Sequence, residues 1–321
     1  MTSLSWVLST VAGVVGYALG MKTLAPLLVL LPLLSCGGDE RAEKTAAGLC
    51  GASTPTRYLV AREIGFAREV EGVSDGFDID GAVTAMGGAA GCGRADYTSP
   101  AGVPGVDNAI AGLLPLLDNT EAVGLEDIVQ DAVNDGRILL LLELTGVDDF
   151  QDDDCVGVRL VFGDGMPARG SDGMILIDQT MYLSDAVPME SPIEGRIKDG
   201  VLEATGLNFD LPVEIFSASM VLAIGEASVR VALNDELGTG TGVLGGGFPY
   251  DNLLDGLLNA AIDGSLKATL PLLIPSLADL APDDGGVCKN ISVTLELGMA
   301  EVFVYDEPAP TEPVDTGLIT P

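Results

Sequence analysis

Short segments in which apolar and polar residues alternate recur between residues 57 and 305. A period of two indicates β-strands with one buried face, and the Gly, Asp and Pro clusters between the segments indicate turns. Short strands joined by turns favour an antiparallel sheet over a doubly wound parallel sheet. The alternating segments are Tyr58–Phe66, Arg159–Phe162, Ile175–Leu183, Val201–Leu211, Ser219–Ile224, Val229–Leu233 and Ile291–Tyr305.

Two regions with apolar residues at helical spacing interrupt the strands, and they resemble each other. Asp107–Leu114 aligns without gaps to Asp251–Leu258, and in both segments the Asp is placed as an N-cap. A second helix is predicted after each, over Leu125–Val133, which stops at Gly136, and over Leu266–Leu280. We therefore predict an α+β fold, a mainly antiparallel sheet covered by two pairs of amphipathic helices, with an internal duplication. The alternative is that ordinary helix capping produced the match.

Composition divides the chain into a core and two flanking segments. Residues 57–305 have enough apolar content for a single globular α+β domain. Residues 36–56 are small and polar, which predicts a flexible tether. Residues 306–321 are rich in Pro and acidic residues, which predicts a disordered tail.

The residues before the tether have the organisation of an export signal. Met21-Lys22 supplies a positive end, Thr23–Leu34 a short apolar core, and a small residue precedes Cys36. The motif Leu33-Leu34-Ser35-Cys36 resembles the lipobox of bacterial lipoproteins. We therefore predict a signal segment over residues 1–35 whose true start is Met21. The alternative is that these residues form an apolar helical hairpin or an uncleaved anchor.

The resemblance has consequences for location. It implies that Cys36 carries a diacylglyceryl group, so that the mature protein contacts a membrane through this lipid. Gly37, and no Asp, follows Cys36 directly, which by the sorting rule of such lipoproteins implies the outer membrane, facing the periplasm or the cell surface. Phe77–Asn108, with Asp78-Ile79-Asp80-Gly81 and Gly105-Val106-Asp107-Asn108, also resembles a pattern in uncharacterised exported lipoproteins of Gram-negative bacteria, and it implies no activity.

Cysteine content agrees with export. Without Cys36, four cysteines remain, Cys50, Cys92, Cys155 and Cys288, and an even set in an oxidising compartment predicts two disulfides. Of the three possible pairings we expect Cys50 with Cys92 and Cys155 with Cys288, because the latter two each open an alternating segment. A zinc site is the competing interpretation, but the chain has no Cys-x-x-Cys spacing and no His.

Charge and missing residue types exclude several functions. A net charge of −33 repels nucleic acids and anionic head groups, so membrane attachment is expected to come from the lipid alone. Without His, Gly72-Val73-Ser74-Asp75-Gly76 has no base to activate its Ser, although it fits Gly-x-Ser-x-Gly. Gly238–Gly247 has six glycines and no Lys, so we expect a mobile turn rather than a phosphate loop. We predict that the protein is not an enzyme.

One acidic constellation fits a structural Ca²⁺, which takes six to eight oxygen ligands. These residues lie in loop-rich segments, although their spacing fails the EF-hand pattern. The alternative is that they are solvated turn residues. The candidates are Asp75, Asp78, Asp80, Asp96, Asp107 and Asn108.

Two functions remain, and they belong to different classes. The first is a lipid-anchored envelope or cell-surface protein with a non-catalytic binding or structural role and an unknown protein partner. The second is a carrier of apolar, lipid-like ligands in a cavity between helices and sheet. Plain core packing is the alternative role for the leucines expected to line that cavity. These leucines are Leu113, Leu117, Leu254, Leu257 and Leu258.

Overall fold

The computed structural model describes residue 50 and residues 56–89, 91–117, 125–186, 189–215, 218–236 and 238–305. The predicted signal segment 1–35, Cys36 and the predicted tail 306–321 lie outside these residues, as does the predicted tether apart from Cys50 and Thr56. The strands are β1 Arg57–Phe66, β2 Tyr97–Thr98, β3 Pro104–Val106, β4 Leu140–Thr145, β5 Asp152–Asp164, β6 Thr180–Leu183, β7 Ile193–Lys198, β8 Val201–Ile215, β9 Ala218–Asn234, β10 Thr239–Pro249, β11 Leu280–Pro282 and β12 Cys288–Val304. The helices are α1 Leu114–Leu117, α2 Leu125–Asn134, α3 Tyr250–Asn259 and α4 Gly264–Leu273, with 3₁₀ turns at Ala109–Gly112 and Pro275–Leu277.

Eight of these strands form a sheet that closes on itself. Going round the ring, the order is β1, β4, β5, β7, β8, β9, β10 and β12, and every neighbouring pair is antiparallel. Closure comes from β1 and β12, which pair from Tyr58 with Val302 to Phe66 with Leu295. A closed sheet leaves few unpaired strand edges, which protects it against pairing with other chains.

Alternate residues of each strand face the inside of the ring. The side chains at the end where β5 begins and β12 finishes fill the interior, so we call it the filled end. Buried inward residues there include Leu142, Leu144, Val158, Leu202 and Val231. The opposite end, where β1 finishes and β12 begins, is covered by the helices, and we call it the helical end. No helix in the part of the chain that the structure describes is both long and apolar enough to cross a bilayer.

The predicted α+β fold with two pairs of amphipathic helices is wrong. Antiparallel sheet is the dominant structure of the described chain, and its helices are short. Asp107 does not cap a helix: its carboxylate accepts hydrogen bonds from the backbone of Ile79 and Asp80, and only a 3₁₀ turn and the one-turn α1 follow. Asp251 lies inside α3, whose N-cap position is Pro249. The two aligned segments therefore differ in structure and do not form a repeated unit.

The glycine-rich segment Gly238–Gly247 is not a mobile turn. Apart from Gly238 it belongs to β10, which pairs along its length with β9 and β12. The glycines allow close approach: a Cβ on Gly242 would lie 1.9 Å from the carbonyl oxygen of Arg230, and one on Gly247 would lie 2.8 Å from Leu280 Cδ1. Glycine is thus required by packing in a strand that composition marks as a loop.

Two disulfides form, as predicted, but the expected pairing is wrong. Cys50 is bonded to Cys155 and Cys92 to Cys288, with Cα–Cα distances of 5.3 and 5.9 Å. Cys155 lies near the start of β5, at the filled end, whereas Cys288 begins β12, at the helical end. These two cysteines therefore lie at opposite ends of the closed sheet and cannot meet.

A candidate ligand cavity at the helical end

A cavity of about 200 Å³ lies inside the closed sheet at its helical end. This volume is the space open to the centre of a water molecule, of which one water needs about 10–15 Å³, so the cavity exceeds any ordinary packing gap. Apart from Glu214 and two glycines, every residue around it is apolar. The lining consists of Ile64, Phe66, Ile110, Leu113, Leu114, Ile128, Val129, Ala132, Ile138, Leu140, Phe209, Leu211, Val213, Glu214, Leu222, Ile224, Leu244, Gly245, Gly246, Phe248, Leu253, Leu257, Ile262, Leu270, Leu273, Ile274, Val293 and Leu295.

The strands form the wall of the cavity. The inward face of β10 reads Leu244, Gly246 and Phe248, so a glycine stands where a side chain would otherwise occupy the space. A Cβ on Gly246 would lie 2.7 Å from Ile224 Cγ2. Packing between β9 and β10 therefore excludes a larger residue at this position, so no side chain from it enters the cavity.

Helix α2 covers a side of the cavity that the sheet leaves open. Strand β4 pairs only with the first part of β1, as far as Val60. Beyond it, Gln130 of α2 completes the hydrogen bonding of β1: its Oε1 accepts from Ile64 N at 3.3 Å and its Nε2 donates to Arg62 O at 2.8 Å. Because the amide takes the place of a strand, α2 can turn Val129 and its neighbours towards the cavity.

The structure places the five predicted leucines differently. Leu113 and Leu257 line the cavity. Leu254 is half-buried and packs against the core without lining the cavity, and Leu258 is 36% exposed. The side chain of Leu117 is outside the described part. Sequence reasoning missed the strand residues of the wall, which period-two alternation marks as buried but not as bordering an empty space.

A buried polar network holds the 3₁₀ turn that carries Ile110 to the cavity. Asn108 is 2% exposed, and its Nδ2 donates to Ala67 O and to Ser74 Oγ, both at 2.9 Å. Its Oδ1 accepts from Thr294 N of β12 at 3.2 Å. Both polar atoms of the Asn108 side chain thus already have protein partners, and its role here is to hold the turn.

Asp279 and Ser292 anchor the other side of the same turn. Ser292 Oγ accepts from Ala109 N at 2.7 Å and donates to the carboxylate of Asp279, which also accepts from Ser292 N at 2.9 Å. Burial raises the pKa of Asp279 to about 6, against the lowering effect of the hydrogen bonds from Ser292. The first residue of the turn is therefore tied to β12 through the hydroxyl of Ser292, which the carboxyl of Asp279 holds in place.

Three of the six predicted Ca²⁺ ligands come together. Carboxylate oxygens of Asp78, Asp80 and Asp107 lie within 4.8 Å of one another. Asp107 is buried, and burial, together with the charge of Asp80, raises its pKa to about 7. Above that pH the three side chains present oxygen ligands of the kind Ca²⁺ takes, with water needed to complete six or more.

The remaining predicted ligands serve other contacts. Asp75 pairs with Arg230 at 2.6 Å, and Asp96 accepts a hydrogen bond from Thr84 N at 2.5 Å. Ser74, the Ser of Gly-x-Ser-x-Gly, is 1% exposed and is held by Asn108. The cavity, rather than the acidic loop, is therefore the candidate functional site.

Comparison with known proteins adds no relative. No family model, no curated protein and no solved structure matches this chain. A functional conclusion accordingly depends on the geometry and chemistry of the cavity.

Proposed function

We propose that this protein is a lipid-anchored envelope protein that carries an apolar ligand in the cavity of its closed sheet. The observation that supports the proposal is the apolar lining of a cavity of about 200 Å³. Protein interiors are packed to the density of organic crystals, so an unfilled space of this size loses dispersion contacts over its whole lining. An apolar ligand restores those contacts without leaving a polar group unpaired.

Water is a poor occupant of this space. A buried water needs two to four polar partners, and the only polar side chain among the lining residues belongs to Glu214, which is exposed. Apolar ligands gain free energy from transfer into such a site, roughly in proportion to the area they remove from water. The preference therefore favours a hydrocarbon chain over water or a polar metabolite.

The anchor part of the proposal concerns Cys36. Cys50, Cys92, Cys155 and Cys288 are bonded to one another, so none of them is available to Cys36. A lipid on Cys36 would hold the cavity close to a membrane, which is a source and a destination of apolar molecules. The location that we propose is the cell envelope, at the outer membrane.

We also propose that the protein does not catalyse a reaction on its ligand. Ser74 is buried, is hydrogen-bonded to Asn108 and is not among the residues that line the cavity. None of the residues around the cavity is a base or nucleophile with a partner to activate it. Binding and release are the chemistry that such a lining supports.

Native mass spectrometry tests the proposal directly. A Cys36→Ser version of the full chain is exported to an oxidising compartment and purified without detergent. We expect two disulfides and the additional mass of a bound apolar molecule. The same protein, freed of ligand, is expected to enhance the fluorescence of the neutral apolar probe N-phenyl-1-naphthylamine.

A filled cavity provides the matched comparison. Val129→Trp places a large side chain from α2 into the space, whereas Val287→Trp adds the same side chain at an exposed position that does not line the cavity. We expect Val129→Trp to lose both copurified ligand and probe binding while keeping its melting temperature, and Val287→Trp to keep both. A bare wild-type chain that binds no probe would contradict the carrier function and favour a structural role in the envelope.

A further inference from the structure

The residues around the cavity include no cation. Among the described residues that line it there is no Lys or Arg, and the single ionisable residue is the acidic Glu214 at the exposed rim. An anionic head group drawn into or against this lining would lose its hydration without gaining a counter-charge, which is strongly unfavourable. A fatty acid carboxylate thus has no partner at this site.

The helices that cover the cavity have the same sign of charge. Helices α2, α3 and α4 carry five acidic residues and one basic residue, Lys267. Its ammonium group donates to the carbonyl oxygen of Leu258 at 2.9 Å, at the C-terminal part of α3. Arg68, close to α2, is paired with Glu126 at 2.9 Å. The acidic residues are Glu126, Asp127, Asp131, Asp251 and Asp255.

This charge pattern affects approach as well as binding. A surface of one sign concentrates ligands of the opposite sign and repels ligands of its own sign over about a Debye length. The helical end is acidic within a chain whose net charge is −33. Approach to the cavity is therefore easiest for a cationic amphiphile and hardest for an anionic one.

We infer that the cavity discriminates by head-group charge, accepting cationic and uncharged amphiphiles and rejecting anionic ones. This inference rests on the proposed carrier function and specifies its ligand class. The apolar wall binds the hydrocarbon chain of the ligand. The absence of a cation in the lining, together with the acidic helices around it, selects the head group. The affinity order for one chain length is amine, then alcohol, then carboxylate.

Displacement of N-phenyl-1-naphthylamine from the Cys36→Ser protein tests this order. Dodecylamine, dodecanol and dodecanoate are compared at pH 8, below the concentrations at which they form micelles. We expect dodecylamine to displace the probe at about a tenfold lower concentration than dodecanoate, and we expect about 0.5 M salt to narrow the difference. The Val129→Trp variant, which lacks the space, reports adsorption of the amine outside the cavity.

Charge reversal on the helices separates the effect of their electrostatic field from the effect of a lining without cations. Asp131→Lys with Asp255→Lys changes two exposed residues of α2 and α3, and Asp154→Lys with Asp235→Lys makes the same charge change at the filled end. We expect the first pair to narrow the preference for the amine about threefold and the second pair to leave it nearly unchanged.

The outcomes distinguish the two proposals. Dodecanoate that displaces the probe as well as dodecylamine would overturn the charge selection and leave the carrier function standing. A protein that takes up neither the naphthylamine nor any of the three amphiphiles would overturn both. The expected order in wild type, lost in Val129→Trp, supports both.

Discussion

The two ends of the closed sheet are built from many of the same strands, yet one is solid and the other hollow. At the filled end, the inward-facing Leu142, Leu144 and Val158 are fully buried, and a hollow of only about 20 Å³ lies beside Leu59 and Thr239. At the helical end the space is about 200 Å³. Both ends use inward-facing apolar residues, so residue type alone does not distinguish a core from a binding cavity.

The difference arises from what closes each end. At the filled end, short connections join β7 to β8 and β9 to β10. At the helical end, Gln130 of α2 is hydrogen-bonded to β1, and Asn108, directly before the 3₁₀ turn, is hydrogen-bonded to β12. Gly246 contributes no side chain to the gap. The two ends therefore differ in the elements that close them, although both are lined by apolar residues.

Removal of each disulfide in turn is the strongest test of this difference, since one bond ties each end. Cys50–Cys155 spans 105 residues and Cys92–Cys288 spans 196, and loop entropy predicts a similar loss of about 5 kcal/mol for each. We expect both double Cys→Ser variants to unfold at lower urea concentration. Only Cys92→Ser with Cys288→Ser is expected to weaken naphthylamine binding as well. Equal weakening by both pairs would show that the ends are not independent.

Two leucine truncations compare the packing of the ends. Leu142→Ala removes contacts on all sides at the filled end, and we expect it to lower the free energy of unfolding by about 3–4 kcal/mol. Leu244 is equally buried but borders the cavity, so Leu244→Ala should cost about 2 kcal/mol, because part of its surface has no partner atoms to lose. Urea titrations of both variants measure the difference. Equal losses would mean that the cavity collapses in solution.

We expect pH to have a smaller effect on stability, through two carboxyl groups at the helical end. Burial raises the pKa of Asp107 to about 7 and that of Asp279 to about 6 from an ordinary value of 3.8. Their stabilising contribution is therefore complete below about pH 4 and is lost as the pH rises through 6 and 7. We expect the melting temperature to rise between pH 8 and pH 5, by roughly 2–4 °C for each kcal/mol regained.

Asparagine variants assign this pH dependence to particular groups. Asp107→Asn with Asp279→Asn is expected to flatten the rise, because neither position then titrates. Asp152→Asn is the control at the filled end, where the hydrogen bond from Lys198 lowers the pKa of Asp152, and it should leave the profile between pH 5 and 8 unchanged. A rise that persists in the Asp107 and Asp279 variant would instead have to come from the net negative charge of the chain.

Local patterns predicted much of the sheet. Alternation located β1, β8 and β12, and the helical spacing that stops at Gly136 located α2. Closure was not predictable in this way, because the pairing of Tyr58 with Val302 depends on chain geometry far beyond any local window. The disulfide pairing failed for the same reason: it depends on which end of the ring each cysteine reaches.

The candidate site was less accessible to sequence reasoning than the fold. Leu113 and Leu257 lie in the cavity lining, but the glycines of β10 indicated a loop, and the amide of Gln130 gave no sign of serving as a strand substitute. Of the six possible Ca²⁺ ligands, Asp78, Asp80 and Asp107 come together, whereas the other three make contacts elsewhere in the fold. A cavity cannot be recognised from residue types, because the same apolar residues surround a packed core and an empty space.

The pairing of β1 with β12 affects the order in which the parts of the chain fold. Strand β1 can pair with β4 early, but its second neighbour, β12, is made last, because Arg57 and Glu301, which form an ion pair at the seam, are 244 residues apart. A chain emerging from its N-terminus therefore stays open until nearly its whole length is available. The closed ring, and the cavity inside it, are therefore expected to be among the last features of the chain to form.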